Sequence, residues 1–322
     1  MREDLLREAE AQTQEAQRRN EETLRQRREE VSARYPDIRE LLERRQDLIY
    51  GSISGMLRGK APAADLPRAM EEASGEIREA LQRRGLPGDY LSPVYDCPLC
   101  QDTGFVGETV KARCECVRKR YQNLLRQAIG LRDDGAETFA SFRSDVFPDE
   151  TAPGEQRSQR QMMERLRALC EEWANKYPRQ VPRDMVLSGK SGLGKTFLLH
   201  AMANRLIERE IPVLLISAYS FVDTARRSWY GQEDGLRELL ESEVLMIDDL
   251  GIEPLVPNVT IEQLFNLINQ RQRAGLATVI STNLNAEELK SRYTERIASR
   301  LTDGRICGFI PLRGRDIRNG RM

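Results

Sequence analysis

The run Gly189-Lys190-Ser191-Gly192-Leu193-Gly194-Lys195-Thr196 satisfies the pattern G-x-x-x-x-G-K-[ST] at every fixed position. Glycines at these places let backbone N–H groups turn inward around an anion, and a following helix adds the partial positive charge of its N-terminus. Lys195 would neutralise the β- and γ-phosphates of a nucleotide, and Thr196 would offer a hydroxyl to Mg²⁺. Further on, Val244-Leu245-Met246-Ile247 runs into Asp248-Asp249, an apolar strand that delivers two carboxylates at its tip. Asp248 is expected to hold Mg²⁺ through water, and Asp249 or Glu253 to orient the attacking water; residue types do not decide between those two. Asn283, after Thr278-Val279-Ile280-Ser281, is suited to hold that water or to sense the γ-phosphate. Together these residues describe phosphoryl transfer from a nucleotide.

A second constellation is Cys97-Pro98-Leu99-Cys100 followed by Cys114-Glu115-Cys116. A C-x₂-C pair makes a tight knuckle whose thiolates converge on one ion. A C-x-C pair in extended chain points both sulfurs to one side, because strand side chains alternate. Four thiolates close a tetrahedral zinc site with no open position, so this Zn²⁺ is expected to be structural. Cys170 and Cys307 stand alone and are expected to be buried or inert. The single histidine, His200, nearly excludes Ser-His-Asp and Cys-His catalysis.

These sites need elements to carry them. From Val181 onward apolar strands alternate with helical patterns, the mark of a mostly parallel α/β sheet. Strands are expected at Met185–Leu187, Val213–Ile216, Val244–Ile247, Thr278–Ser281 and 306–312. Helices are expected after Thr196, through Ile261–Ile268, and around Glu295–Leu301. In such sheets ligands sit beyond the carboxyl ends of the strands, where the Gly-rich loop, the two acids and Asn283 all fall.

Upstream, the first ~50 residues are rich in Glu, Arg and Gln with a thin apolar stripe (Leu5, Leu6, Ala9, Ala16, Leu24, Val31), which suits a helix that is solvated or docks on a partner, as in a coiled coil. Pro62, Pro67, Gly85, Pro87, Gly88 and Pro93 punctuate the approach to the cysteines. Val117–Ile129 reads as a helix and Thr138–Phe142 as a connecting segment. A loop broken by Pro153 and Gly154 precedes a packing helix, Gln161–Trp173, with Met162, Leu166 and Leu169 as its buried face. The expected organisation is a charged helical or coiled-coil region (1–90), a zinc module (91–130), a linker with its packing helix (131–180) and a nucleotide-binding domain (181–322).

The chain has 322 residues, about a third of them charged, and a net charge of −1, so any nucleic-acid surface must be local. No apolar run approaches the ~20 residues that span a bilayer, and the start lacks a signal-peptide core, so the cytoplasm is expected, with no membrane partner. Arg226-Arg227-Ser228-Trp229-Tyr230 mixes basic and aromatic groups, which suits single-stranded DNA by phosphate contact and base stacking. A helix that buries Trp229 and leaves the arginines in solvent accounts for the same residues.

The Gly189–Thr196 run, Ile247-Asp248-Asp249-Leu250-Gly251, Ser281-Thr282-Asn283-Leu284, Tyr293–Leu301 and Gly314-Arg315-Asp316-Ile317-Arg318 resemble, in that order, the DnaC/DnaI-type replicative helicase loaders of the AAA+ ATPases. The resemblance implies that Gly189–Thr196 is Walker A, that Asp248 and Asp249 are Walker B, and that Asn283 is sensor 1. It also implies Arg300 as an arginine finger acting on a neighbour's nucleotide, and Arg318 as a sensor-2-like nucleotide contact. The implied fold is a P-loop NTPase (AAA+) three-layer sandwich with a parallel sheet, lacking a helical lid, after an α-helical N-terminal region with a small zinc module. The implied activity is a weak, partner-stimulated ATPase that loads a DnaB-type helicase onto single-stranded DNA. The N-terminal region would grip the helicase and the ATPase domains would self-associate. An IstB-like helper of a transposase, or a nucleotide-binding adaptor without catalysis, would share the ATPase half.

Overall fold

The computed structural model describes residues 2–58, 65–131, 136–151, 154, 156–231 and 235–320; Pro62 and Pro153 lie outside them. The chain forms two compact units, Leu6–Arg120 and Tyr121–Met322, the second of which also takes Met1–Leu5.

The first unit opens with α1 (Arg2–Arg34), α2 (Pro36–Leu57) and α3 (Leu66–Arg83). The third of these helices lies within the expected helical region 1–90, in the stretch that Pro67 and Gly85 punctuate. Pro67 occupies the first turn of α3, where a proline has no hydrogen bond to lose. Gly85, in the left-handed region, closes the helix with Leu86 N–H reaching Leu81 O at 3.1 Å. Ile77, Ala80 and Leu81 of α3 pack with Val31, Ile38 and Leu91 into a small core. A two-residue hairpin follows, β1 (Phe105–Val106) antiparallel to β2 (Ala112–Arg113). Next comes α4 (Glu115–Ala128), whose first turns belong to this unit.

The thin stripe of α1 finds its partner inside the unit. Ala9, Thr13, Ala16 and Asn20 are all buried, spaced alternately four and three apart. These residues are small or polar, so the helix approaches the cysteine segment closely: an added Cβ on Gly104 would lie 3.5 Å from Thr13 Cγ2. Polar clasps complete the contact, with Arg113 on Glu10 at 2.9 Å and Arg120 Nη1 donating to Thr13 Oγ1 at 2.9 Å.

The second unit holds α5 (Gln159–Lys176), β3 (Asp184–Ser188), α6 (Lys195–Glu208), β4 (Val213–Ser217), α7 (Ala218–Trp229), α8 (Gly235–Glu241) and β5 (Val244–Leu250). It continues with α9 (Thr260–Ala274), β6 (Ala277–Thr282), α10 (Ala286–Tyr293), α11 (Glu295–Leu301) and β7 (Cys307–Pro311). All five strands are parallel, in the order β4-β5-β6-β3-β7. Every residue of β3 and β6 is buried, as a sheet covered by helices on both faces requires. This is the expected three-layer α/β sandwich. The buried face of α5 is Met163, Leu166, Cys170 and Trp173, with Leu169 left 42% exposed. Of the expected face, Leu166 is buried, whereas Met162 and Leu169 each stand one position from the buried Met163 and Cys170, because both neighbours offer side chains at helical spacing.

Arg271 of α9 is the largest wholly buried side chain. It donates to Leu239 O at 2.7 Å, Ser242 O at 2.9 Å, Ala277 O at 2.6 Å and Thr278 Oγ1 at 3.0 Å. Burial pulls its guanidinium down to about 10, with the Asp184 carboxylate opposing the shift. The carbonyls of Leu239 in α8, Ser242 just before β5 and Ala277 at the start of β6 thereby gain a side-chain donor.

Candidate functional site

The Gly-rich loop leaves the end of β3 between its two neighbours. Gly189 N–H donates to Thr282 O on the β6 side at 3.0 Å, and Leu312 N–H to Ser188 O on the β7 side at 2.6 Å. Gly194 is left-handed and caps α6, so Lys195 and Thr196 open that helix as the motif expects. Lys195 Nζ donates to Gly189 O at 2.6 Å, Lys190 O at 2.9 Å and Asn283 Oδ1 at 2.9 Å. Burial lowers the Lys195 ammonium from its usual range, and the charges of Asp249 and Asp248 partly restore it. The strand order explains how Asn283 arrives: β6 lies between β3 and β5, so its tip stands between the loop and the acids.

Thr196 Oγ1 lies 3.3 Å from Asp248 Oδ1. This pair of oxygens fits Mg²⁺, which keeps several waters and takes few protein ligands. Asp249 lies in the same field: burial raises its carboxyl above the usual range, Asp248 raises it further, and Lys195 opposes. Glu253 stands apart from these acids. It is 1% exposed, its Oε2 accepts from Gly251 N–H at 2.7 Å, and its Oε1 accepts from the Tyr293 hydroxyl. With both oxygens engaged, it braces the turn after β5.

Arg318 reaches the loop, donating to Ser191 Oγ at 2.8 Å and pairing with Asp316 at 2.9 Å. Asp316 was not singled out from sequence. It lies so close to Gly192 that an added Cβ would come within 1.8 Å of its Oδ1, and Ile317 N–H donates to Gly192 O at 3.1 Å. Gln159 at the start of α5 holds this tail through Arg315 N–H and Arg315 O, each at 2.9 Å. Arg300 bonds within its own helical layer, to Asn269 Oδ1 at 2.8 Å and over the Phe265 ring at 4.6 Å, while Arg296 is exposed. The segment after Thr138 also supplies an apolar wall: Phe142 packs on Phe147 and Phe197, each at 5.8 Å, and Phe147 abuts Gly194. The lone His200 pairs with Glu137 beside that wall.

In the first unit the sulfurs of Cys97, Cys100, Cys114 and Cys116 all lie within 4.8 Å of one another. Two pairs stand at 3.7 and 3.5 Å, close to the ~3.8 Å that four bonds of ~2.3 Å to a tetrahedral Zn²⁺ impose. The Cys100 amide pulls the Cys97 thiol down to about 7, whereas burial pushes Cys100 and Cys116 up. Asp102 sets the knuckle's shape, accepting from Cys97 N–H at 2.8 Å and Asp96 N–H at 3.0 Å. Asn20 of α1 donates to Asp102 at 2.9 Å and to Asp96 at 3.0 Å. Burial raises the Asp102 carboxyl, but these donors outweigh it and the net shift is downward. Cys170 and Cys307 are buried thiols pushed up by burial, Cys170 to about 12, as their isolation suggested.

Trp229, Tyr230 and Tyr219 are 56%, 68% and 64% exposed, and the core face of α7 is Phe221, Val222 and Ala225. Trp229 is therefore not the core residue that one of the two sequence readings made it. Arg226 and Arg227 each pair with Asp223 at 2.9 Å. Among the described residues no helix is long and apolar enough to cross a membrane.

A parallel sheet in this order, with a phosphate loop after β3, an acid pair after β5 and an asparagine between them, defines a P-loop nucleotide-binding α/β domain. The profile of the IstB-like ATP binding protein family matches residues 155–307. The replicative helicase loader DnaI of Bacillus subtilis (strain 168) is 34% identical over 114 residues, 35% of this chain and 37% of DnaI. The replicative helicase loader DnaC of Escherichia coli (strain K12) is 31% identical over 131 residues, 39% of this chain and 52% of DnaC. A crystal structure of the DnaC helicase loader aligns at 18% identity and a TM-score of 0.44, covering 54% of this chain and 98% of that one. The matched part is thus similar to the IstB-like ATP binding proteins and to DnaI and DnaC, and the chain spans about half or less of the length of these curated relatives.

Proposed function

We propose that the protein hydrolyses ATP weakly and, when stimulated by its partners, loads a DnaB-type replicative helicase onto single-stranded DNA. The observation that carries the ATPase reading is the convergence of Lys195, Thr196, Asp248 and Asn283 through direct hydrogen bonds. Lys195 and the loop amides hold the triphosphate, Thr196 and Asp248 take Mg²⁺, Asp249 orients water, and Asn283 reports the γ-phosphate to β6. Similarity to the replicative helicase loaders DnaI and DnaC supports the loading role. Residues 1–90 and the zinc module at 91–130 grip the helicase, while 131–180 and 181–322 bind nucleotide and self-associate so that Arg300 reaches a neighbour's site. The exposed Tyr219, Trp229 and Tyr230 beside Arg226 and Arg227 are the surface for single-stranded DNA.

The test is co-purification with the host's replicative helicase and ATP turnover with and without single-stranded DNA. Helicase binding that survives deletion of 131–322, together with turnover raised by single strands, supports the loader. A second reading, an ATPase helper of a transposase, is favoured by the name of the matching family. Stimulation by duplex DNA and no helicase binding would select it.

A further inference from the structure

Neighbouring side chains of a regular strand point to opposite faces, so Asp248 and Asp249 could not both serve one pocket from an unbroken β5. The β5–β6 ladder breaks at this point: Ile247 faces Ile280, but Leu250 faces Thr282, so two aspartates stand against Ser281 alone. Asp249 takes the extra residue's turn with φ 55°, in the left-handed region. Bulges beside active sites re-aim side chains in this way, and they leave a backbone amide outside the ladder. Ser281, which is wholly buried, closes the gap. Its Oγ accepts from Asp249 N–H at 2.9 Å and donates its own proton to Asp248 Oδ1, the oxygen that also meets Thr196.

We propose that Ser281 is a positioning residue of the nucleotide site: one hydroxyl holds the bulge that turns Asp249 and fixes the rotation of the Asp248 carboxylate toward Mg²⁺. The role rests on the ATPase reading above. It calls for one donor and one acceptor on a short arm, which serine and threonine supply and alanine does not.

The experiment compares wild type, Ser281→Ala and Ser281→Thr in the full chain, with Lys195→Ala as control. Fluorescent ATP binding is titrated without Mg²⁺ and then against Mg²⁺, and turnover is measured alongside. Ser281→Ala is expected to bind nucleotide without Mg²⁺ within about threefold of wild type, while Mg²⁺ half-saturation and turnover worsen by about 10- to 100-fold, the usual loss when a metal ligand's support is removed. Ser281→Thr is expected to recover most of both. Wild-type Mg²⁺ response in Ser281→Ala overturns the proposal, and so do equal losses in the alanine and threonine variants, which would mean packing alone. Failure of the ATPase reading looks different: wild type would then match Lys195→Ala in every titration.

Discussion

The two units solve the problem of stability by different means. The sheet-bearing unit buries apolar side chains on both faces of its sheet, a cluster from Phe221 and Leu245 through Ile280 to Tyr293 and Ile297 on one and Met185, Leu187, Met246 and Val279 on the other. The N-terminal unit has a modest apolar cluster around Ile38, Ile77 and Leu81, and elsewhere relies on polar clasps and four converging thiols. A large core tolerates the loss of one contact, because hydrophobic burial is spread over many side chains. A small module built on directional bonds depends on each of them. The lesson is that four thiols placed to share one ion and the asparagine–aspartate clasp do for the first unit what the sheet core does for the second.

The comparison can be broken most sharply by removing metal. Structural zinc contributes about 10–16 kcal/mol of apparent binding energy in small modules. Chelation, or Cys97→Ser with Cys114→Ser, is therefore expected to unfold the cysteine module, seen as loss of hydrogen-exchange protection across 95–120, while Val186 and Ile280 stay protected. Equal loss in both units would show that they do not differ as argued.

The mirror-image experiment is Lys195→Ala. Nucleotide affinity should fall by at least about 100-fold, since the ammonium is the main positive charge meeting the phosphates. Any change in the thermal unfolding of the ligand-free protein should be confined to the second unit, where Lys195 donates to Gly189 O, Lys190 O and Asn283 Oδ1; calorimetry with and without ATP and Mg²⁺ reads both quantities.

Arg271→Met asks how far the sheet core tolerates a polar loss. It strips donors from Leu239 O, Ser242 O and Ala277 O, and should cost about 3–5 kcal/mol, visible as a lower midpoint for the second unit only. Asn20→Ala should cost the first unit about 1–3 kcal/mol, because Asp102 and Asp96 each lose a donor. Denaturant melts that separate the two transitions would check the assignment, and a drop in the second unit's midpoint on Asn20→Ala would contradict it.

How much was legible beforehand follows the same division. The strands of the sheet were readable because parallel strands buried on both faces appear as short apolar runs such as Val244–Ile247. The phosphate loop was readable because its chemistry demands fixed spacings. The bounds of α3 within the expected helical region were not, since a proline that starts a helix looks the same in sequence as one that ends a loop. The stripe of α1 looked too thin because two of the five described residues it buries are Thr13 and Asn20, polar residues that only their partners make suitable for burial. Asp316 lies within the Gly314–Arg318 run, but its contact with Gly192 was not readable, because the two residues are far apart along the chain and meet only in the folded unit.

What this chain's sequence determined by itself was local chemistry: which residues can surround a phosphate, which thiols can share an ion, and which segments alternate between strand and helix. The tertiary structure decided the rest. It placed β6 between β3 and β5 and so brought Asn283 to Lys195. It also inserted a bulge that lets two adjacent aspartates face one pocket, and it folded α1 onto the cysteine knuckle. The physical reason is one of range. Spacing along the chain encodes the period of a helix or strand and the geometry of a tight turn, whereas register, strand order and the partners of buried polar groups depend on contacts between residues distant in sequence.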